Sequence, residues 1–131
     1  MRGATPMYTV LTVDDSSFMR TWIKRLLASN DLITTLEASS GLEAILTYRK
    51  MKPDLVILDY NMPELTGLEV LKRIKKIDPQ ARVVMCSALG TSFNVEECLA
   101  AGAIDFVTKP EFSGLIDIVT KTLNIKSESN S

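Results

Sequence analysis

The chain has 131 residues, of which 46% are hydrophobic and 24% charged, with a formal net charge of −1 and no histidine. These values suit one soluble domain with a core of its own. They offer no long-range attraction to nucleic acid or anionic lipid, and they exclude phosphohistidine chemistry within the chain. No apolar run approaches the roughly 20 residues that span a bilayer, and residues 1–7 lack the apolar segment of a secretory signal. We therefore expect a cytoplasmic protein.

Five apolar runs of strand length, rich in β-branched residues, alternate with segments of helix length. The strands are predicted at residues 8–13, 32–36, 55–58, 82–86 and 104–107. The first, third and fourth runs are apolar nearly throughout, which is typical of parallel strands covered on both faces. This order predicts a single α/β domain over residues 8–125, made of five βα units with helices on both faces of a parallel sheet. An N-terminal extension, 1–7, and a polar tail, 126–131, flank it.

The five predicted helices occupy the segments that follow the strands. The first has apolar residues at helical spacing, which make one apolar stripe: Phe18, Met19, Trp22, Ile23, Leu26 and Leu27. The other helices are predicted to begin near hydroxyl residues that can cap them, namely Ser40, Thr66, Thr91 and Ser113. Gly102 stands where the fourth helix should end. Cys86 and Cys98 lack the spacing of a disulfide framework or a zinc site, and we interpret both as small buried hydrophobes.

Polar residues follow four of the predicted strands, at the edge where an open parallel sheet binds its ligands. They are Asp14 and Asp15 after the first strand, Asp59 after the third, Ser87 after the fourth and Lys109 after the fifth. Each has a plain structural interpretation when it is considered alone. An Asp after a strand is a good helix cap, the lysine could lie on the surface, and the serine could be a loop hydroxyl.

The combination of these residues favours phosphoryl chemistry. If the first and third strands are neighbours, Asp14, Asp15 and Asp59 converge, and carboxylates that close need a cation to stay ionised together. A few oxygen ligands favour Mg²⁺, which keeps several waters and accepts a phosphate oxygen. Asp59 could then attack phosphorus and form an acyl phosphate. Lys109 would add positive charge, and Ser87 could donate a hydrogen bond to a phosphoryl oxygen.

The segments TVDDSSFMR, VILDYNMPELTGLEVL, VVMCSALG and GAIDFVTKP resemble the diagnostic segments of response-regulator receiver domains, over about residues 8–123. The resemblance implies a flavodoxin-like sheet with strand order 2-1-3-4-5. It implies that Asp59 is the phosphoacceptor, that Asp15, Asp59 and the backbone carbonyl of Asn61 bind Mg²⁺, and that Asp14 holds the metal through water. Ser87 takes the family's hydroxyl position and Lys109 that of its phosphate-pairing lysine.

The same resemblance places Phe106 at an aromatic switch position, where the ring turns inward as the Ser87 hydroxyl moves toward phosphate. Without the resemblance, Phe106 would be interpreted as a core residue. The chain departs from the family pattern at two points. Phe106 has no hydroxyl where many chemotaxis members have Tyr, and Glu111 stands where a Phe is common. Phe112 could take over the apolar contact, so the output face could differ.

Within the family, DDSSFMR and CSALG most resemble stand-alone chemotaxis receivers of the CheY type. That implies a signalling switch, not an enzyme with a separate substrate. It would take its phosphoryl group from a histidine kinase and act as a monomer on a flagellar motor switch protein, with a phosphatase as a further partner. GAIDFVTKP also resembles the receivers of chemotaxis methylesterases, and a phosphorelay intermediate is a third possibility.

Two other classes of protein share parts of this pattern. Asp-nucleophile phosphatases also use magnesium and an acyl phosphate, but they place two Asp residues two positions apart after the first strand, whereas this chain has an adjacent pair. A nucleotide or flavin binder of this topology would have a Gly-rich turn after the first strand, and this chain has none.

Overall fold

The computed structural model describes residues 8–88, 94–109, 112 and 114–125, and within these residues strands and helices alternate five times. The strands are β1 (Tyr8–Val13), β2 (Ile33–Ala38), β3 (Leu55–Asp59), β4 (Val83–Ala88) and β5 (Asp105–Lys109). The helices are α1 (Ser17–Leu27), α2 (Gly41–Met51), α3 (Gly67–Ile77), α4 (Val95–Ala100) and α5 (Leu115–Leu123). The predicted extension and tail lie outside the described residues.

The five strands form one parallel sheet in the order β2-β1-β3-β4-β5, as the resemblance implies. Because β1 lies between β2 and β3, the residues that follow β1 and those that end β3 meet at the carboxyl edge of the sheet. β4 and β5 extend two residues beyond their predicted ends. As a result Ser87 pairs with Thr108 and Ala88 with Lys109, so the sheet ladder fixes both site residues.

Helices cover both faces of the sheet, as predicted. On one face α2, α3 and α4 bury Ala44, Leu71 and Cys98 against the strands. On the other face α1 and α5 bury Ile23 and Leu115. Residues on the central strands β3 and β4 are buried on both sides, which agrees with the near-continuous apolar runs in the sequence. No helix in the described part of the chain is long and apolar enough to cross a membrane.

The predicted stripe of α1 is wider than the face that the helix buries. Ile23 and Leu27 are buried, but Phe18 is 66% and Trp22 42% exposed, and their rings stack with centroids 6.3 Å apart. At about 100° per residue the six apolar positions cover an arc of about 180°. A helix that lies on one face of a sheet buries only part of such an arc. Of the six residues in the apolar stripe, α1 buries only Ile23 and Leu27.

Side chains cap the helices largely where the sequence indicates. Ser40 accepts from the amide of Glu43 and Thr66 from that of Glu69, which confirms two of the predicted starts. Asn94 caps α4, and Gly114 precedes α5 without a side-chain cap. The predicted starts near Thr91 and Ser113 lie outside the described residues.

The end of α4 and the environment of the cysteines agree with the sequence analysis. α4 ends at Ala100, and Gly102 follows with φ of +110°, a left-handed conformation that glycine adopts without strain. Cys86 and Cys98 are both buried and free, as predicted. Phe112 is 3% exposed in the core beside α5, so it makes an apolar contact there.

Thr12→Val is expected to raise the free energy of unfolding by about 1 kcal/mol. Thr12 is fully buried, and its Oγ1 is the one buried side-chain polar atom without a hydrogen-bond partner among the described residues. Valine has nearly the same shape and no hydroxyl to desolvate. Urea denaturation measures the change, with Thr34→Val on the exposed side of β2 as the matched control. A less stable Thr12→Val variant would show that the hydroxyl does have a partner in solution.

Candidate functional site

Three carboxylates converge at the carboxyl edge of the sheet, as the sequence predicts if β1 and β3 are neighbours. Asp14 directly follows β1, and Asp59 ends β3. One oxygen from each of Asp14, Asp15 and Asp59 lies within 4.8 Å of the other two. Asp14 and Asp59 are buried, whereas Asp15 is exposed at the rim. The adjacent acidic pair therefore places one carboxylate inside the cluster and one at its mouth.

Lys109 reaches this cluster from the end of β5. Its Nζ lies 2.7 Å from Asp14 Oδ2 and 3.3 Å from Asp59 Oδ1. The lysine side chain is only 11% exposed, so the interpretation as a surface lysine is wrong. Burial lowers the pKa of Lys109, but the hydrogen bond to Asp14 and the charge of Asp59 raise it above its ordinary value overall. The ammonium is therefore charged at neutral pH.

Asp59 carries a strongly perturbed carboxyl group. Burial, followed by the negative charge of Asp14, raises the pKa of Asp59 to about 6, although Lys109 and the amide of Asn61 favour the ionised form. Among the described residues, three carboxylates thus face a single ammonium, and the cluster is short of positive charge. A hard dication with oxygen ligands suits this donor set, so the residues present fit a divalent metal.

The turn between β1 and α1 holds Asp14 in a fixed position. Asp14 Oδ1 accepts from the amide of Ser16 at 2.9 Å, and its backbone oxygen accepts from Nη1 of Arg20 at 2.7 Å. The Nε of Arg20 also donates to Glu37 on β2 at 2.9 Å. The sequence analysis did not single out Arg20, although a basic residue in the first helix close to an acidic pair was a usable signal.

The loop after β3 folds back over the strand end. The amide of Asn61 donates to Asp59 Oδ1 at 3.3 Å, and the amide of Gly67 donates to the Tyr60 oxygen at 2.9 Å. A Cβ at Gly67 would lie 2.2 Å from the Asp59 backbone oxygen. Only glycine permits this close approach. The sequence analysis missed Gly67, which can be recognised as a glycine directly after the helix cap Thr66.

Ser87 and Phe106 lie on the strands at one end of the sheet. Ser87 is 3% exposed, and it directly follows Cys86, the residue that pairs with Asp59 across β3 and β4. Phe106 is 39% exposed, so its interpretation as a core residue is wrong. It stands on the edge strand, where only Val107 is buried. The ring is therefore outside the core in this structure.

The family model of the response regulator receiver domain matches residues 10–121. The chain belongs to the response regulator receiver family. Chemotaxis protein CheY of Bacillus subtilis is 43% identical to this receiver over 118 residues, which cover 89% of this chain and 98% of that protein. The match confirms the resemblance to receiver domains, which was inferred from four segments of the sequence.

Two further relatives show the range of proteins that contain such a receiver. A protein-glutamate methylesterase/protein-glutamine glutaminase of Bacillus licheniformis is 46% identical over 116 residues, but these cover only 32% of that longer protein and 86% of this chain. The crystal structure of a CheX-CheY-BeF3-Mg complex from Borrelia burgdorferi superposes with a TM-score of 0.80 and 33% identity, covering 91% of this receiver and 90% of that chain. The superposition confirms the receiver fold.

Proposed function

We propose that this receiver is a phosphoryl-accepting switch of a chemotaxis pathway, which takes phosphate from a partner histidine kinase onto Asp59. The observation that carries the proposal is the position of Asp59, buried at the carboxyl edge of the sheet between two carboxylates and the ammonium of Lys109. The 43% identity to a chemotaxis protein CheY along almost its whole length supports the chemotaxis output. Asp59 would attack the phosphorus atom and become an acyl phosphate.

Asp15, Asp59 and the backbone carbonyl of Asn61 would bind Mg²⁺ directly, and Asp14 would hold it through water. Both oxygens of Asp14 already accept hydrogen bonds, one from the Ser16 amide and one from Lys109, which supports an indirect role. Asp15 is exposed and available. When bound, Mg²⁺ supplies positive charge to the transferring phosphoryl group.

The remaining site residues would respond to the phosphoryl group. Lys109 would keep its bond to Asp14 and exchange its contact with Asp59 for a phosphoryl oxygen. Ser87 would donate a charge-assisted hydrogen bond to another phosphoryl oxygen. Phe106 would then turn from its exposed position toward the core, which changes the surface that a partner contacts. Phosphorylation shifts the equilibrium between the exposed and the inward position of Phe106 only to the extent that the phosphoryl group stabilises one of these two states.

The proposed switch has no separate turnover substrate, and we place it in the cytoplasm as a monomer. Its partners would be a histidine kinase, a flagellar motor switch protein and a phosphatase. The receiver from Borrelia burgdorferi is seen in complex with a second protein, CheX, which supports a protein partner for this receiver. A second candidate is the receiver of a chemotaxis methylesterase, which the match to the Bacillus licheniformis protein favours. In either case residues 8–125 would form the receiver unit.

Magnesium is expected to raise the melting temperature of the parent protein and to have little effect on Asp15→Ala. A ligand that binds only the folded state adds about 2.7 kcal/mol at a hundredfold excess over Kd. Without metal, Asp15→Ala should be at least as stable as the parent, because it removes a like charge from the cluster. Melting curves with and without Mg²⁺ measure both effects, with the exposed Asp31→Ala as control. An equal magnesium shift in parent and Asp15→Ala would contradict the assigned ligand.

Beryllofluoride, a phosphoryl mimic, is expected to increase the affinity of the receiver for a motor-switch peptide, and Ser87→Ala is expected to reduce that increase. A charge-assisted hydrogen bond contributes about 1.5–3 kcal/mol, or roughly 10- to 150-fold in affinity. Lys109→Ala should also reduce the effect, because it removes a second contact to the mimic. Calorimetry measures the affinities, with the exposed Ser29→Ala as control. An undiminished increase in Ser87→Ala would exclude its role as the switch hydroxyl.

A further inference from the structure

A cleft of about 480 Å³ lies between α2 and α3, and its lining is both apolar and basic. The lining residues are Ile45, Arg49, Arg73, Lys76 and Ile77. Each of these helices starts at the carboxyl edge of the sheet and runs back toward the amino edge, so the last turns that line the cleft lie away from the acidic cluster. The α2–α3 cleft is therefore a separate feature from the candidate phosphoryl site.

The three cations of the cleft form no contact that would explain their position in the described part of the chain. No hydrogen bond or ion pair of Arg49, Arg73 or Lys76 is found among the described residues. Lys75, a neighbour on the same helix, differs because its Nζ donates to the backbone oxygens of Pro79 and Ala81 at 2.8 and 2.9 Å. A cation near a helix C-terminus gains only about 0.3–1 kcal/mol from the helix dipole. This gain does not by itself explain why three cations line one cleft.

An apolar strip on α2 continues from this cleft. Leu42 is 62% and Leu46 is 58% exposed, and they stand one turn apart. Together with Ile45 and Arg49, which line the cleft, they have the spacing of a single helix face. Ile45 is 7% exposed and contributes to the floor of the cleft. The surface thus combines exposed leucines with cations that have no partner among the described residues, two features that different parts of one ligand could contact.

We propose that the α2–α3 cleft and the adjacent strip form a docking surface for an acidic amphipathic segment of a partner protein. Aliphatic side chains of that segment would cover Leu42 and Leu46, and its carboxylates would pair with Arg49, Arg73 and Lys76. Charge complementarity carries this choice. A small anion would leave the leucines exposed, and nucleic acid is disfavoured by a chain of net charge −1.

The inference does not depend on the proposed phosphoryl chemistry. The three cations of the docking surface lie in the later turns of α2 and α3, away from Asp59, so the charge-dependent part of binding should be the same with and without beryllofluoride. A partner that binds this surface both with and without phosphorylation would already lie next to the receiver when Asp59 becomes phosphorylated. That would raise the effective concentration of the partner without any change in the switch.

Fluorescence anisotropy of the full chain with a fluorescein-labelled peptide tests the proposal. The peptide has leucines one helical turn apart with glutamates between them, and a second peptide has lysine at every glutamate position. We expect the glutamate peptide to bind and the lysine peptide not to bind, with affinity that falls as salt is added. The double variant R73E/K76E should bind at least about tenfold more weakly, because charge pairs across an interface become repulsive.

Lys72→Glu is the matched control, because Lys72 is exposed on the same helix but does not line the cleft. It should retain the affinity of the parent. Leu42→Ala with Leu46→Ala should weaken binding without changing its salt dependence. Equal binding of the two peptides, no binding of the glutamate peptide, or an equal loss in Lys72→Glu would overturn the proposal. So would sedimentation showing that the parent self-associates and R73E/K76E does not, since the occupant would then be a second copy.

Discussion

Asp59→Asn is expected to abolish stable phosphoryl incorporation from acetyl phosphate or phosphoramidate in the presence of Mg²⁺. Asparagine cannot form an acyl phosphate, and it also replaces one of the three converging carboxylates by a neutral amide. Intact-mass spectrometry should show one added phosphoryl group per parent chain and none in the variant. Asp31→Asn, at an exposed position in the turn before β2, should be labelled like the parent.

The same substitution is expected to raise stability in metal-free buffer at neutral pH. The pKa of Asp59 is about 6 in the folded protein and 3.8 in its ordinary state, so the ionised side chain favours unfolding. This effect is fully present above the folded pKa and disappears as the pH falls below the ordinary value. Removing it is worth roughly 1–3 kcal/mol at neutral pH. Labelling of Asp59→Asn at the parent level, or a lower melting temperature at neutral pH, would contradict the role or the environment assigned to this carboxylate.

Gly67→Ala is expected to destabilise the receiver by about 3 kcal/mol and to slow phosphoryl incorporation. The added Cβ would lie 2.2 Å from the backbone oxygen of Asp59 and 2.7 Å from the Cα of Tyr60. These are backbone atoms of the acceptor strand and its loop, so relief of the overlap requires the loop to move. The amide of Gly67 donates to the Tyr60 oxygen, and this bond would be strained by the same movement.

Gly41→Ala is the matched control, because Gly41 is also the first residue of a helix behind a hydroxyl cap. Its added Cβ would meet side chains, with Val70 Cγ2 at 2.6 Å, and side chains can rotate away more easily than backbone can shift. Urea denaturation should therefore show a smaller loss for Gly41→Ala, and its phosphoryl incorporation should be close to the parent rate. Equal losses in the two variants would show that the approach of Gly67 to Asp59 has no special effect on the site.

The sequence was sufficient to predict the five βα units and the two-sided core because these depend on local periodicity. Runs such as those of β3 and β4 are apolar at nearly every position, which is compatible only with burial on both faces. The acidic pair, Asp59, Ser87 and Lys109 could be assigned to one edge because all parallel strands present their carboxyl ends on the same side. The resemblance to receiver domains then supplied the strand order, which periodicity does not contain.

Other features depended on which elements become neighbours, and only the tertiary structure decided them. The exposure of Phe106 follows from its place on the edge strand β5, and that of Trp22 from the side of α1 that faces away from the sheet. The bond between Lys109 and Asp14 joins residues that are 95 positions apart, and the space for Gly67 is set by the backbone of another element. The sequence determined which residues can be buried or charged, because those are properties of single side chains and their spacing. The fold decided which of them meet, because distance between elements is set by packing.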